Sequence, residues 1–326
     1  MKLSVVLPVR DEAPVIPELI PRLTRALDEL DEPWEMLLVD DGSKDSSWAL
    51  LEAAADRDDR IRAIRFTRNF GHQIALSAGL HLASGDAVIT MDSDLQHPPE
   101  VIPSLLAKAA EGYDVVYAVR SSSDSAGWFK RNSARLFYWL LGRLTALDLP
   151  QAGGDFRYMS RPVVDALLAM PERHRFLRGM TRWVGYEQTV VEYDRPPRPA
   201  GASKYTLRRM LAFGWDAIIS FSSLPLRLAS MLGFAISFLG LVYLSYVIAI
   251  RLFTDQAVAG WTSVVAAVLI LGGVQLLCLG IIGQYLGRMY DEVKARPLFL
   301  VSDDTARPEL EAESGLSERS ARYPRG

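Results

Sequence analysis

The sequence predicts an α/β protein: a mainly parallel sheet with helices on both faces, joined to interfacial amphipathic helices and a two-helix transmembrane hairpin. Three observations predict it. Short apolar runs alternate with amphipathic stretches over residues 1–120, the pattern of repeated βαβ units. Residues 228–250 and 256–287 carry no charge, and each run exceeds the roughly 20 apolar residues that a spanning helix needs. Between these parts, residues 128–145 place Phe129, Leu136, Phe137, Leu140, Leu141 and Leu144 at helical spacing, interleaved with Lys130, Arg131, Arg135 and Arg143. Such a helix lies in a membrane interface or docks as a surface helix on the domain.

Taken in order, residues 3–8 read as a strand and 15–30 as a helix. Residues 36–39 form a strand that runs into Asp40-Asp41-Gly42-Ser43. A helix at 46–55, a strand at 61–66 and a helix at 73–83 follow. Residues 87–91, Ala-Val-Ile-Thr-Met, form an apolar strand that runs straight into Asp92-Ser93-Asp94-Leu95-Gln96. A helix over 98–110 opens on prolines, which suit a first turn because their missing N–H has no partner there. Residues 115–119 close the series. The globular domain spans 1–205, an amphipathic juxtamembrane segment 206–227, the spans 228–252 and 260–287, and a polar, disordered cytosolic tail 302–326.

Charge sets orientation and excludes some partners. Lys204, Arg208, Arg209 and Arg227 precede the first span and Arg288, Lys294 and Arg296 follow the second, whereas only Arg251 lies in the connecting loop. The positive-inside rule puts the domain and both termini in the cytoplasm, with two passes through the cytoplasmic (inner) membrane. Residues 3–9 are too short for a signal-peptide core and lead into charge. The net charge of −3 gives no basic field for a nucleic acid, and no nucleic-acid motif is present. A single cysteine, Cys278, lies in the second span, so no disulfide framework exists. Gln275 and Gln284 are polar at membrane depth, which favours helix–helix contacts within the chain or in a homo-oligomer.

The candidate chemistry sits at strand ends. In open α/β sheets, ligands bind outside the carboxyl ends of the strands. Asp92, Asp94 and the Gln96 amide are hard oxygen donors of the kind that Mg²⁺ or Mn²⁺ takes. Asp40-Asp41-Gly42-Ser43 alone is equally a tight turn with an N-cap. With both acidic pairs at one sheet edge, a single nucleotide reaches both.

Six stretches carry a family resemblance: Val6-Leu7-Pro8-Val9-Arg10-Asp11-Glu12, Val39-Asp40-Asp41-Gly42-Ser43-Lys44-Asp45-Ser46, Arg68-Asn69-Phe70-Gly71-His72, Met91 to Glu100, Gly154-Asp155-Phe156-Arg157 and Gly201-Ala202-Ser203-Lys204-Tyr205. Over residues 1–300 the chain resembles inverting glycosyltransferases of family 2, which have the GT-A (Rossmann-like) fold. It is most similar to the branch acting on polyprenyl phosphates, which holds bactoprenol glucosyltransferases, aminoarabinose transferases and dolichol-phosphate mannose synthases. Ser93 departs from the branch's usual Ala, and His97 stands where many members have Asp or Asn; no catalytic role is assigned to it.

The resemblance implies a nucleotide-sugar donor and a polyprenyl (undecaprenyl) phosphate acceptor. It implies that Pro8, Arg10, Glu12, Asp40, Asp41, Asp92, Arg198, Ser203 and Lys204 contact the donor. It further implies that Asp92, Asp94 and Gln96 hold Mg²⁺ or Mn²⁺ and that Asp94 and Asp155 are catalytic, Asp155 by orienting sugar hydroxyls or the acceptor; a plain turn aspartate is the alternative. Arg120, Lys130 and Arg131 would meet the acceptor phosphate, or else attract lipid headgroups. Residues 196–203 form a lid over the diphosphate or a static linker. UDP-glucose is the favoured donor, with GDP-mannose, UDP-galactose, UDP-N-acetylhexosamines and UDP-aminoarabinose derivatives open.

Two other functions are weighed. A processive polysaccharide synthase needs more spans and a Gln-x-x-Arg-Trp segment, and here Gly179 precedes Arg182-Trp183 where the Gln would stand. An inactive nucleotide-sugar sensor would bind donor and form no product; the intact acidic pairs argue against it.

Overall fold

Leu3–Val9, buried at all seven positions, forms strand β1, and its continuous apolar run is what a parallel strand covered on both faces requires. The computed structural model describes residues 1–121, 153–194, 222, 224–253 and 260–306. The predicted helix 128–145, loop 196–203 and most of the segment 206–227 lie outside the described residues.

Helix α1 (Ile16–Asp28) follows, with Pro at its first turn and Ile16, Leu19, Ile20, Leu23 and Leu27 buried on one face. Next come β2 (Trp34–Asp40), α2 (Ser47–Ala55), β3 (Ile61–Phe66), α3 (His72–Leu82) and β4 (Ala87–Thr90). Strand β1 pairs in parallel with β2 on one side and β4 on the other, and β2 pairs in parallel with β3. Helix α3 lies so close on β1 that a Cβ at Gly79 would stand 2.1 Å from Val6 Cγ1. A 3-10 turn (Pro99–Val101) leads into α4 (Ile102–Ala110), and β5 (Val115–Arg120) ends the predicted series.

Four further elements follow in this unit: β6 (Gly153–Ser160), α5 (Arg161–Ala169), α6 (Leu177–Trp183) and β7 (Gln188–Tyr193). The eight-stranded sheet, which a last strand β8 (Val301–Asp304) completes, has the order β7-β5-β6-β4-β1-β2-β3-β8. Strand β6 inserts between β4 and β5 and runs antiparallel to both, so the sheet is mixed, while β1 to β5 and β7 all run in one direction, as the predicted mainly parallel sheet requires. Its start therefore lies at the rim where β1 to β5 end.

Residues 302–304 belong to a strand and not to the predicted disordered tail. Val301–Asp304 forms an edge strand, β8, antiparallel to β3. Arg62 grips Asp304 through two hydrogen bonds of 3.0 and 2.7 Å, and Phe299, 2% exposed, stacks on Phe66 at 5.1 Å. Residues 307–326 lie outside the described residues.

The chain divides into two compact units, one formed by 1–142, 147–205 and 296–326 and the other by 143–146 and 206–295. The second contains α7 (Leu224–Phe253) and α8 (Trp261–Val293), which extend the predicted spans by a few residues. Leu224–Tyr246 and Ile270–Val293 are long and apolar enough to cross a membrane, with mean hydropathies of 1.9 and 1.6. Their large side chains point outward, Phe234 being 76% and Leu276 73% exposed, as lipid-facing helices require. Within this unit, the Tyr285 hydroxyl donates to the Ser222 carbonyl at 2.6 Å.

Candidate active site

The parallel pairing sends the ends of β1, β2, β3 and β4 to one rim, so both acidic pairs meet there. Asp40 ends β2 opposite Val9 of β1, and Asp92 lies two residues past the end of β4. The loop after β1 is laced to the loop after β2. Asp11 N–H donates to Ser43 Oγ at 2.9 Å, Lys44 N–H to Asp11 Oδ1 at 2.8 Å and Glu12 N–H to Ser47 Oγ at 3.0 Å. Asp11 takes φ +52°, a left-handed conformation that aspartate tolerates in turns.

Asp40 and Asp41 have different surroundings. Asp41 accepts from the N–H groups of Phe70 at 2.7 Å and Gly71 at 3.0 Å, so it holds the loop that follows β3. Arg10 Nη1 stands 3.9 Å from Asp41 Oδ2. Asp40 is fully buried and accepts from Ser43 N–H at 3.1 Å through Oδ1, while its Oδ2 has no hydrogen-bond partner and faces Arg65 Nε at 3.5 Å. Burial raises the pKa of both carboxyls above the ordinary value, against the lowering by these donors. Gly42, at φ +66°, lies under the same loop: a Cβ there would stand 2.6 Å from the carbonyl carbon of Arg68.

That loop delivers a residue to which the sequence reading gave no role. His72 Nε2 lies 3.4 Å from Asp92 Oδ1 and 3.2 Å from Asp155 Oδ2, and ligand atoms of the three residues all fall within 4.8 Å of one another. The signal was present in the Arg68-Asn69-Phe70-Gly71-His72 stretch, but its distance in sequence from both carboxylates hid its partners. His97, buried, accepts from Asp92 N–H at 2.9 Å through Nδ1 and stacks on Phe156 at 5.1 Å; it buttresses Asp92. Ser93 donates to the Pro8 carbonyl at 2.9 Å, a tie to β1 that alanine lacks. Asp94 accepts from Gln96 N–H at 3.1 Å. Between them, buried Leu95 holds φ +59°, a conformation costing about 1 kcal/mol or more for a branched side chain.

Asp155 reaches the rim because β6 is antiparallel to β4: Thr90 pairs with Arg157, and Thr90 Oγ1 donates to the Asp155 carbonyl at 2.6 Å. Its carboxylate meets Arg157 Nη2 at 2.7 Å and Arg178 Nε at 3.3 Å, and Gln73 Nε2 at 3.3 Å. Burial would raise its pKa, but Arg178, the His72 hydrogen bond and Arg157 hold it well below the usual carboxylate range. The same carboxylates raise His72 against burial, which lowers it. Arg120 is exposed at the end of β5, on the same rim. Lys130, Arg131, Arg198, Ser203 and Lys204 lie outside the described residues.

The rim fits a divalent cation. Asp92 Oδ1 is buried without a hydrogen-bond partner, and carboxylate oxygens with one imidazole are donors such ions accept.

Residues 4–168 match the Glycosyl transferase family 2 model, and residues 224–289 match the GtrB C-terminal hairpin. An uncharacterized glycosyltransferase, YkcC, from Bacillus subtilis is 46% identical over 91% of this chain and 92% of its own. The SfII prophage-derived bactoprenol glucosyl transferase of Shigella flexneri is 41% identical over 92% of this chain and 97% of its own. A prophage bactoprenol glucosyl transferase homolog from Escherichia coli is 38% identical over 92% of this chain and 98% of its own. Glucosyl-3-phosphoglycerate synthase from Mycobacterium tuberculosis is 21% identical, with a TM-score of 0.47 over 68% of this chain and 78% of that one. By the family model over residues 4–168 and by relatives 41–46% identical over nearly its whole length, the chain belongs to glycosyl transferase family 2.

Proposed function

We propose that the protein transfers a hexose, with inversion, from a nucleoside diphosphate sugar to polyprenyl phosphate, with UDP-glucose as the favoured donor and undecaprenyl phosphate as the acceptor. The observation that carries this reading is the meeting of Asp41, the His72 loop, Asp92 and Asp155 on one rim, in a chain with two apolar helices. Relatives named bactoprenol glucosyl transferase over nearly the same length support the substrate pair.

Each residue's part follows from its surroundings. Asp40 is assigned to the nucleotide end from its place at the end of β2, its buried Oδ2 facing Arg65, while Asp41 is occupied in holding the loop. Pro8, Arg10 and Glu12 line the neighbouring turn. Asp92, Asp94 and Gln96, with His72 close to Asp92, would hold Mg²⁺ or Mn²⁺. Such an ion supplies Lewis-acid neutralisation of the charge that develops on the leaving diphosphate. The transition state is oxocarbenium-like, and the attacking phosphate monoester is mostly dianionic at pH 7, its second pKa being about 6. No strong base is required, which suits a carboxylate held as low as that of Asp155. The reaction needs cations beside two anions; Arg120, Lys130 and Arg131 are assigned to the acceptor phosphate, and Arg198, Ser203 and Lys204 to the diphosphate.

The acceptor's tail cannot leave the bilayer, so anchoring the domain at the surface raises the effective concentration of the lipid. Both termini are assigned to the cytoplasm by their basic flanks, and Gln275 and Gln284 to helix contacts within the chain or in a homo-oligomer. The test incubates purified protein, undecaprenyl phosphate and Mg²⁺ or Mn²⁺ with a panel of labelled nucleotide sugars. Label from one donor should enter the organic phase. No label from any donor sinks the acceptor assignment, and binding without product points to a sensor.

A further inference from the structure

We propose that the His72 imidazole is itself a ligand of the divalent ion, adding a nitrogen to the oxygens of Asp92, Asp94 and Gln96, and that this nitrogen makes the site prefer Mn²⁺ to Mg²⁺. The inference rests on the transfer reading above and deepens its metal site.

Two imidazoles stand beside Asp92, and their geometry separates them. His97 accepts from Asp92 N–H through Nδ1 at 2.9 Å. That bond puts the ring's proton on Nε2, the atom that faces Asp92 Oδ2 at 3.6 Å. A nitrogen bearing a proton offers no lone pair to an ion. The His97 side chain is also only 6% exposed and stacks on Phe156. His72 differs on both counts. Its side chain is 44% exposed, which leaves room for diphosphate oxygens on the same ion, and its Nε2 lies 3.4 Å from Asp92 Oδ1. Two ligands at right angles on an ion with bonds of about 2.1 Å stand about 3 Å apart, close to that separation.

Pairing with carboxylates does not account for the arrangement. His72 Nε2 has its hydrogen-bond contact with Asp155 Oδ2 at 3.2 Å, whereas Asp92 Oδ1 is buried with no hydrogen-bond partner. A buried acceptor without a partner destabilises the fold. An ion between Oδ1 and Nε2 engages both, and Asp155 Oδ2 keeps its contact with Gln73 Nε2 at 3.3 Å. The ring is also held in place independently of an ion. His72 is the first residue of α3, and Asp41 holds the N–H groups of the two residues before it, Phe70 at 2.7 Å and Gly71 at 3.0 Å. Outer hydrogen bonds of this kind orient metal ligands. One nitrogen among oxygens changes which ion wins. Mg²⁺ takes oxygen donors and sheds its water reluctantly, whereas affinity for an imidazole site rises into the first-row transition ions.

The test uses the full-length protein in detergent, stripped of metal by a chelator, with Mn²⁺ and UDP as the probe. Electron spin-echo spectroscopy of the bound Mn²⁺ reads a directly bound imidazole as nitrogen modulation. Wild type and His97→Gln should show it, and His72→Gln should not. Mn²⁺ affinity, read from the free-ion resonance at fixed UDP, should fall at least tenfold in His72→Gln. Mg²⁺ affinity, read by competition in the same samples, should stay within threefold, and thermal unfolding checks that the variant is folded. No nitrogen modulation in wild type, or modulation that survives in His72→Gln, overturns the proposal. Equal losses of Mn²⁺ and Mg²⁺ affinity overturn the preference. Wild type that shows the nitrogen signal yet moves no sugar would sink the transfer reading and leave the ligand standing.

Discussion

Replacing Asp155 by Asn removes one charge from the most buried ion cluster described, and the cost can be worked from its geometry. The Arg157 guanidinium is 1% exposed and 2.7 Å from Asp155 Oδ1. Breaking a buried pair by removing one partner costs about 3–5 kcal/mol, because the other charge is left uncompensated. Asn keeps one acceptor oxygen for Arg157, which puts the expected loss at the lower end, about 3 kcal/mol. For a domain of this size that is a fall in Tm of about 6–12 °C. The assay is thermal unfolding of the purified full chain in detergent, followed by tryptophan fluorescence. Glu100→Gln is the control: it breaks the Arg22–Glu100 pair, whose side chains are 33% and 57% exposed, and should cost no more than about 1 kcal/mol. The pH dependence has a defined sign. The folded pKa of Asp155 is depressed by Arg178, His72 and Arg157 against the opposing effect of burial. Its stabilisation is therefore present above the unfolded value of about 3.9 and is lost as pH falls through the folded value. The gap between wild type and Asp155→Asn should widen as pH falls through the His72 range, because the variant loses the carboxylate that raises His72, and should then narrow in acid below about pH 4. A variant no less stable than the control, or a gap that still widens below about pH 4, would refute the reasoning.

Four other outcomes are expected. Asp94→Asn should abolish transfer while leaving the circular dichroism spectrum and Tm unchanged; retained activity would remove the metal role assigned to it. Ser93→Ala should cost about 1 kcal/mol in denaturant unfolding, the worth of its bond to the Pro8 carbonyl, and an unchanged midpoint would show that bond to be idle. Gly42→Ala should destabilise by about 1–3 kcal/mol and weaken UDP binding in calorimetry. The substitution strains φ +66° and drives a Cβ into the backbone at Arg68, ahead of His72. Phe299→Ala should cost about 3–5 kcal/mol by emptying the stack on Phe66, and an unchanged unfolding midpoint would show that stack to be idle.

The sequence made the first half of the sheet readable because it is built from local signals. Ile61–Phe66 falls where its apolar run predicts, and the buried β1 and β4 are continuous apolar stretches. Both acidic pairs could be placed on one rim from strand direction alone. What was missed depends on pairing between distant residues. Nothing around Gly153 says that this strand inserts backwards between β4 and β5, yet that register carries Asp155 to Asp92 and turns a parallel sheet into a mixed one. His72, Arg157 and Arg178 meet Asp155 only through it. Strand β8 was hidden for another reason: Ser302-Asp303-Asp304 is polar, as an edge strand can be, and its apolar anchor is the single Phe299. Ser93, a mere departure from a family pattern in the sequence, turns out to tie its loop to β1.

The central claim, that a sugar leaves a nucleotide for a lipid phosphate at this rim, is tested most directly by weighing the lipid. Undecaprenyl phosphate, UDP-glucose, Mn²⁺ and the purified chain are incubated, and the lipid fraction is read by mass spectrometry. The account predicts a new species heavier by one hexosyl residue, formed with release of UDP and absent with Asp94→Asn. Release of UDP with the lipid mass unchanged, or a lipid carrying a nucleotide or a phosphosugar, would contradict it.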